Sequence, residues 1–111
     1  MAVKLPKPID SYFRHANGLD PDAVADCFTP DAEVHDEGHD HVGRAAIRAW
    51  VAGVRRRYTF HAEPRYLDVA NGTHTVTAHL TGDFPGAPAD LRYTFDLKDD
   101  RIARLAIGTS P

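Results

Sequence analysis

Cysteine is almost absent from this 111-residue chain. The one thiol, Cys27, cannot close an internal disulfide, so a disulfide-stapled scaffold is excluded. No apolar run approaches the roughly 20 residues of a membrane-spanning helix, and residues 1–8 lack the apolar stretch of a signal peptide. A cytoplasmic protein with no membrane partner is therefore expected. An excess of basic charge is missing as well: 13 Lys and Arg stand against 16 Asp and Glu, a net charge of −3 with histidine neutral. Nucleic-acid-binding domains usually carry the opposite balance, so nucleic acid is not expected as a partner. Internal repeats, a glycine-rich phosphate loop, paired-cysteine metal motifs and a serine–histidine–acid arrangement are all lacking. The composition that is present, 42% hydrophobic and 26% charged, is that of an ordinary globule. Its length fits one domain with a single core and one modest pocket.

The punctuation of the chain predicts its elements. Residues 1–9 read as a flexible arm, and 10–111 as one domain. Asp10 or Ser11 can cap a short helix carrying Tyr12, Phe13 and Ala16, stopped by Asn17-Gly18. Asp20 then caps a second helix with Pro21 in its first position. Thr29-Pro30-Asp31 is expected to break the chain before a short strand, 32–36. Ala46, Ile47, Trp50, Val51 and Val54 recur at three- and four-residue intervals, which gives a helix from about Arg44 to Arg57 with one apolar face. Arg55-Arg56-Arg57, the basic cluster, sits where cations meet the negative end of that helix.

Everything after the long helix is strand-like. Pro64 interrupts residues 58–69 and suggests a bulge or an edge, and Asn71-Gly72 is a hairpin turn. Residues 73–80 alternate Thr or His with Val, Ala or Leu. Leu91, Tyr93, Phe95 and Leu97 alternate with polar residues in a half-buried strand. The order is helix, helix, strand, long helix, then four antiparallel strands, an α+β arrangement with helices stacked on one face of a curved antiparallel sheet. A bulged, curled sheet with a helix across its mouth encloses a cavity.

Three stretches carry a family resemblance: Leu19-Asp20-Pro21-Asp22-Ala23-Val24-Ala25-Asp26-Cys27-Phe28, Pro30-Asp31-Ala32-Glu33-Val34-His35-Asp36 and Gly43-Arg44-Ala45-Ala46-Ile47-Arg48-Ala49-Trp50. With them, residues 10–107 resemble the nuclear-transport-factor-2-like (cystatin-like) superfamily, which includes SnoaL-like polyketide cyclases and ketosteroid isomerases. The resemblance implies a cone-shaped sheet wrapped around the long helix, with two short helices before it. It also implies a homodimer through the sheet face, which sedimentation at neutral and mildly acid pH tests.

Ketosteroid isomerases use a carboxylate base at the end of the first strand. A tyrosine and a protonated aspartic acid form their oxyanion hole. The resemblance puts Asp36 at the base, Tyr12 at the oxyanion tyrosine and Trp50 on the pocket wall. The third position falls on Leu91, with Asp90 one residue away and facing the other side of the sheet. A carboxylate facing an apolar cavity has its pKa raised into the range useful for a general base. Asp36 and Tyr12 are thus the catalytic candidates. Trp50, Phe28, His61, His79, Tyr93 and Phe95 are the candidates for contacting substrate, each with plain core or surface as its alternative.

Two further groups have mundane alternatives. His35 and His39 are four apart beside acids, a zinc-protease-like spacing that needs a helix, which Gly38 disfavours, although an extended or looped chain could still assemble a carboxylate–imidazole site from them. The segment 35–41 is expected as a solvated loop at the mouth of the cavity, with no metal. Cys27 reads as a buried small hydrophobe. Two functions remain open. One is a cofactor-free isomerase, cyclase or dehydratase acting on a small hydrophobic carbonyl-containing or aromatic molecule. The other is a non-catalytic ligand-binding or dimerisation module.

Overall fold

The computed structural model describes residues 3–18 and 20–109; Met1 and Ala2 of the expected arm, Leu19 of the first motif, and residues 110–111 lie outside them. Helix α1 (Lys7–Asn17) begins before the Asp10 or Ser11 expected. Pro8 lies in its first turn, where a missing N–H removes no intrahelical bond. Residues 7–9 are therefore helical, and Ile9 is fully buried. Helix α2 (Pro21–Asp26) follows its cap as expected, with Asp20 Oδ1 accepting from the Ala23 N–H at 3.1 Å.

Strand β1 (Phe28–Asp36) corrects two expectations. Thr29-Pro30-Asp31 does not break the chain; it lies inside β1, where the pairing register with the last strand shifts between Phe28 and Glu33. The segment expected as a loop is also a strand. β2 (His39–Val42) pairs antiparallel with β1 through a two-residue turn. Glu37 and Gly38 both take positive φ, 53° and 77°, the geometry that suits the twist of a tight hairpin.

Helix α3 (Arg44–Arg57) spans the residues its periodicity predicts. It is pinned to β1 by Arg44, whose Nε and Nη2 donate to the Phe28 carbonyl at 3.0 and 2.9 Å. Strands β3 (Phe60–Ala70), β4 (Thr73–Gly82), β5 (Ala89–Lys98) and β6 (Arg101–Thr109) form an antiparallel meander. The register shift between Pro64 and Tyr66 is the bulge that Pro64 signals. Strand order is β2-β1-β6-β5-β4-β3. The sheet is mixed rather than antiparallel, because β1 runs parallel to β6. A parallel neighbour needs a long connection, and here nearly the whole chain supplies it.

The inner face of the sheet packs on the helices. Val34, Val76, Ala78, Tyr93, Phe95 and Leu105 bury there against Ile9, Phe13 and Ile47. The Thr73/Thr75/Thr77/His79 row takes the other, outer face alongside Arg92, Thr94 and Asp96. Asn17, read as a helix stop, also stitches α1 to edge strand β3: its side chain accepts from the Ala62 N–H at 2.9 Å and donates to the Ala62 carbonyl at 2.8 Å. Gly82 closes β4 against the start of β3 so tightly that a Cβ would stand 2.2 Å from the Thr59 carbonyl oxygen.

Candidate active site

Between α1, α3 and the inner face of the sheet lies a mostly apolar cavity of about 130 Å³. Its volume is of the order of the roughly 150 Å³ that holds a benzene-sized molecule. Val51, Val54, Ala62, Leu80, Leu91 and Ile107 supply much of its wall, and its polar edge is small: Tyr12, Tyr93, Asp36, Glu37, Tyr58 and Arg55.

Asp36 ends β1. Pairing with His39 puts it on the face of the hairpin opposite that of the His35–Asp40 pair. One turn of α3 brings Trp50 against it, and the indole Nε1–H donates to Asp36 Oδ2 at 3.1 Å. Burial raises the Asp36 pKa above its ordinary value. The Trp50 hydrogen bond opposes that rise by favouring the charged form, Glu37 adds to it, and His41 and His35 oppose it. The result is a carboxylate that is fixed in place and more basic than a solvated one.

Tyr12 is the hub of an aromatic cluster, with ring centroids 5.1 Å from Phe13, 5.7 Å from Phe95, 6.0 Å from Phe28 and 6.2 Å from Tyr93. Edge-on packing of this kind fixes ring orientation. Tyr12 and Tyr93 are only 5% and 4% exposed. Both line the cavity. Burial pushes both phenol pKa values up; Asp36 adds to the rise and Arg55 opposes it. Both hydroxyls therefore stay protonated and able to donate.

Of the residues singled out from the sequence, the fold gathers Asp36, Tyr12, Trp50 and Tyr93 around one cavity. The others go elsewhere. Phe28 and Phe95 are completely buried behind Tyr12 and are core. His79 Nδ1 sits 2.8 Å from Asp90 Oδ1 across β4 and β5, on the outer face. His61 is exposed and borders a separate polar depression formed by α1 and β3. His35 pairs with Asp40 at 2.6 Å, while His39 belongs to the opposite face of the hairpin. The two imidazoles therefore do not converge as a ligand pair would. Cys27 is buried, and its Sγ–H points to the Ala23 carbonyl at 3.4 Å.

Arg55 was not anticipated here. Read as a cation at a helix end, it instead turns inward and lines the cavity, its guanidinium 4.0 Å above the Phe60 ring. It donates to the Phe60 carbonyl at 2.7 Å and to the Ala16 carbonyl. Burial lowers its pKa. The signal was present in the spacing: Ile47, Val51 and Arg55 follow at four-residue steps on one helix face.

The SnoaL-like domain family matches residues 9–105. No curated protein matches the chain. Among solved structures, a provisionally named polyketide cyclase from Sinorhizobium meliloti is 40% identical, with a TM-score of 0.89 over 94% of this chain and 95% of that one. A Catenulispora acidiphila protein with a ketosteroid isomerase-like fold, solved with trimethylamine, is 20% identical with a TM-score of 0.85, covering 96% of this chain and 88% of its own. SalBIII, an epoxide hydrolase/cyclase-like enzyme with a role in forming the pyran ring of salinomycin, is also 20% identical, with a TM-score of 0.75 over 94% and 88%. The last two likenesses concern the fold alone.

Proposed function

The chain belongs to the SnoaL-like domain family, and from that premise we propose that it moves a proton on a small carbonyl-bearing or phenolic ring bound in the cavity. Asp36 is the base, and the Tyr12 and Tyr93 hydroxyls hold the oxygen on which negative charge develops. Trp50 orients the base and walls the ring. The observation that carries this reading is the meeting, in one apolar cavity, of a hydrogen-bonded carboxylate with two buried tyrosines.

The chemistry follows from what each group can do. A carboxylate made more basic by burial takes a proton from carbon more readily, and the tyrosines supply donors aimed where charge appears. The position expected for a protonated aspartic acid is the apolar Leu91, but Tyr93 lies two residues along β5 and so on the same face. In this proposal Tyr93 takes over as the second donor. The Sinorhizobium meliloti relative's name supports ring-forming or ring-rearranging chemistry, and the small cavity supports single-ring substrates over steroids.

The test is turnover on a panel of enolisable single-ring ketones and phenols. Asp36→Asn should lose at least roughly a hundredfold in rate while folding normally, and Tyr12→Phe should lose about 10²-fold or more. Rates unchanged by both substitutions would leave a binding module in place of an enzyme.

A further inference from the structure

Arg55 has no part in the proton transfer above, yet it lines the same cavity. Its two hydrogen bonds go to carbonyls, of Ala16 at the end of α1 and of Phe60 at the start of β3. Carbonyls fix a guanidinium but do not neutralise it. Among the described residues no carboxylate lies within ion-pairing distance of Arg55. Glu37, at the cavity edge, is instead 3.8 Å from Arg57, and Asp36 Oδ2 is engaged by Trp50. A half-buried cation therefore faces an apolar space that also holds two protonated phenol donors, Tyr12 from α1 and Tyr93 from β5. Tyr58, at the end of α3, completes the titratable groups on the wall.

We propose that the cavity selects single-ring phenols and enols that bind as their oxyanions, with Arg55 as the specificity-determining charge that favours the deprotonated ligand. This rests on the tyrosine pair holding the ligand oxygen. On binding, the ligand O–H bond breaks, the electron pair stays on oxygen, and the proton leaves to water. Tyr12 and Tyr93 then donate to that oxygen. The positive charge of Arg55 acts through space, where low polarity strengthens it. Without such a charge, an apolar cavity of this kind favours the neutral ligand, because burial alone raises the pKa of a phenol.

The probe is 4-nitrophenol, whose phenolate absorbs in the visible. It is titrated against the Asp36→Asn protein, in which no carboxylate base competes for the ligand proton. The bound apparent pKa should fall by about one unit or more below the free value, the size of effect an opposite charge at short range produces. Adding Arg55→Gln should reverse the fall, whereas Arg55→Lys should keep most of it. A role for Arg55 confined to pinning α1 and β3 would change affinity and leave the bound pKa alone. Should Arg55→Gln not fold, Arg55→Met, which keeps the stem against Phe60, takes its place with the same readout: reversal of the fall supports the proposal, and an unchanged bound pKa overturns it. A bound pKa at or above the free value, or one indifferent to Arg55→Gln, overturns it too. None of these readouts involves turnover, so this proposal and the assignment of Asp36 as base can fail separately.

Discussion

Replacing Asp36 by asparagine should stabilise the protein at neutral pH and make little difference near pH 3. Burial raises the Asp36 pKa above its ordinary 3.8. A carboxyl group with a higher pKa folded than unfolded costs nothing while both states are protonated. The cost appears as pH rises from the unfolded pKa through the folded one, and is complete above it. Each unit of elevation corresponds to about 1.4 kcal/mol. Water still reaches the carboxylate at the cavity edge, and such screening cuts the effect, so a gain on the order of 1 kcal/mol or less is expected at pH 7. Asparagine keeps an oxygen for the Trp50 Nε1–H, so the substitution removes charge without removing the bond. Urea denaturation of both proteins at pH 3, 5 and 7 measures the difference. A difference that grows between pH 3 and pH 7 in favour of Asp36→Asn is the expected outcome. A difference independent of pH, or one favouring the parent at pH 7, would refute the desolvated carboxylate.

Three other outcomes follow from the same geometry. Trp50→Phe deletes the donor that stabilises ionised Asp36, so the carboxyl pKa should rise further; carbon-13 titration of the side chain reads it, and a fall would count against the bond. The Cys27 thiol, pushed up to about 11 chiefly by burial, should react with iodoacetamide at pH 8 roughly a hundredfold more slowly than in urea; equal rates would show it to be accessible and ionised. Gly82→Ala forces a Cβ against the Thr59 carbonyl at 2.2 Å and should cost more than about 1 kcal/mol in chemical denaturation; a neutral result would mean that the start of β3 moves freely.

The elements legible in the sequence were those with a strong local signature. The apolar spacing of Ile47, Trp50 and Val51 marked α3, Asp20-Pro21 marked the start of α2, and Asn71-Gly72 marked the β3–β4 hairpin, all as observed. β2 was not legible, because its four residues, His39-Asp40-His41-Val42, lack apolar alternation and are held by backbone pairing with β1 and a Glu37-Gly38 turn. The parallel contact of β1 with β6 depends on residues some 70 apart in sequence, and no local pattern encodes it. At the site, Asp36 and Trp50 were found through family resemblance; their mutual hydrogen bond comes from the crossing of α3 over β1. Phe28 and Phe95 were assigned to the pocket because an apolar period cannot separate core from wall. Arg55 was missed because the charge run it belongs to resembles a solvated helix end.

The most direct test of the account is the titration of the Asp36 carboxyl by carbon-13 NMR, with and without a single-ring phenol. A pKa above the ordinary carboxylate value of 3.8, moving when the phenol fills the cavity beside it, is the expected result. An ordinary pKa indifferent to every phenol would contradict it and make Asp36 a solvated carboxylate at the end of β1.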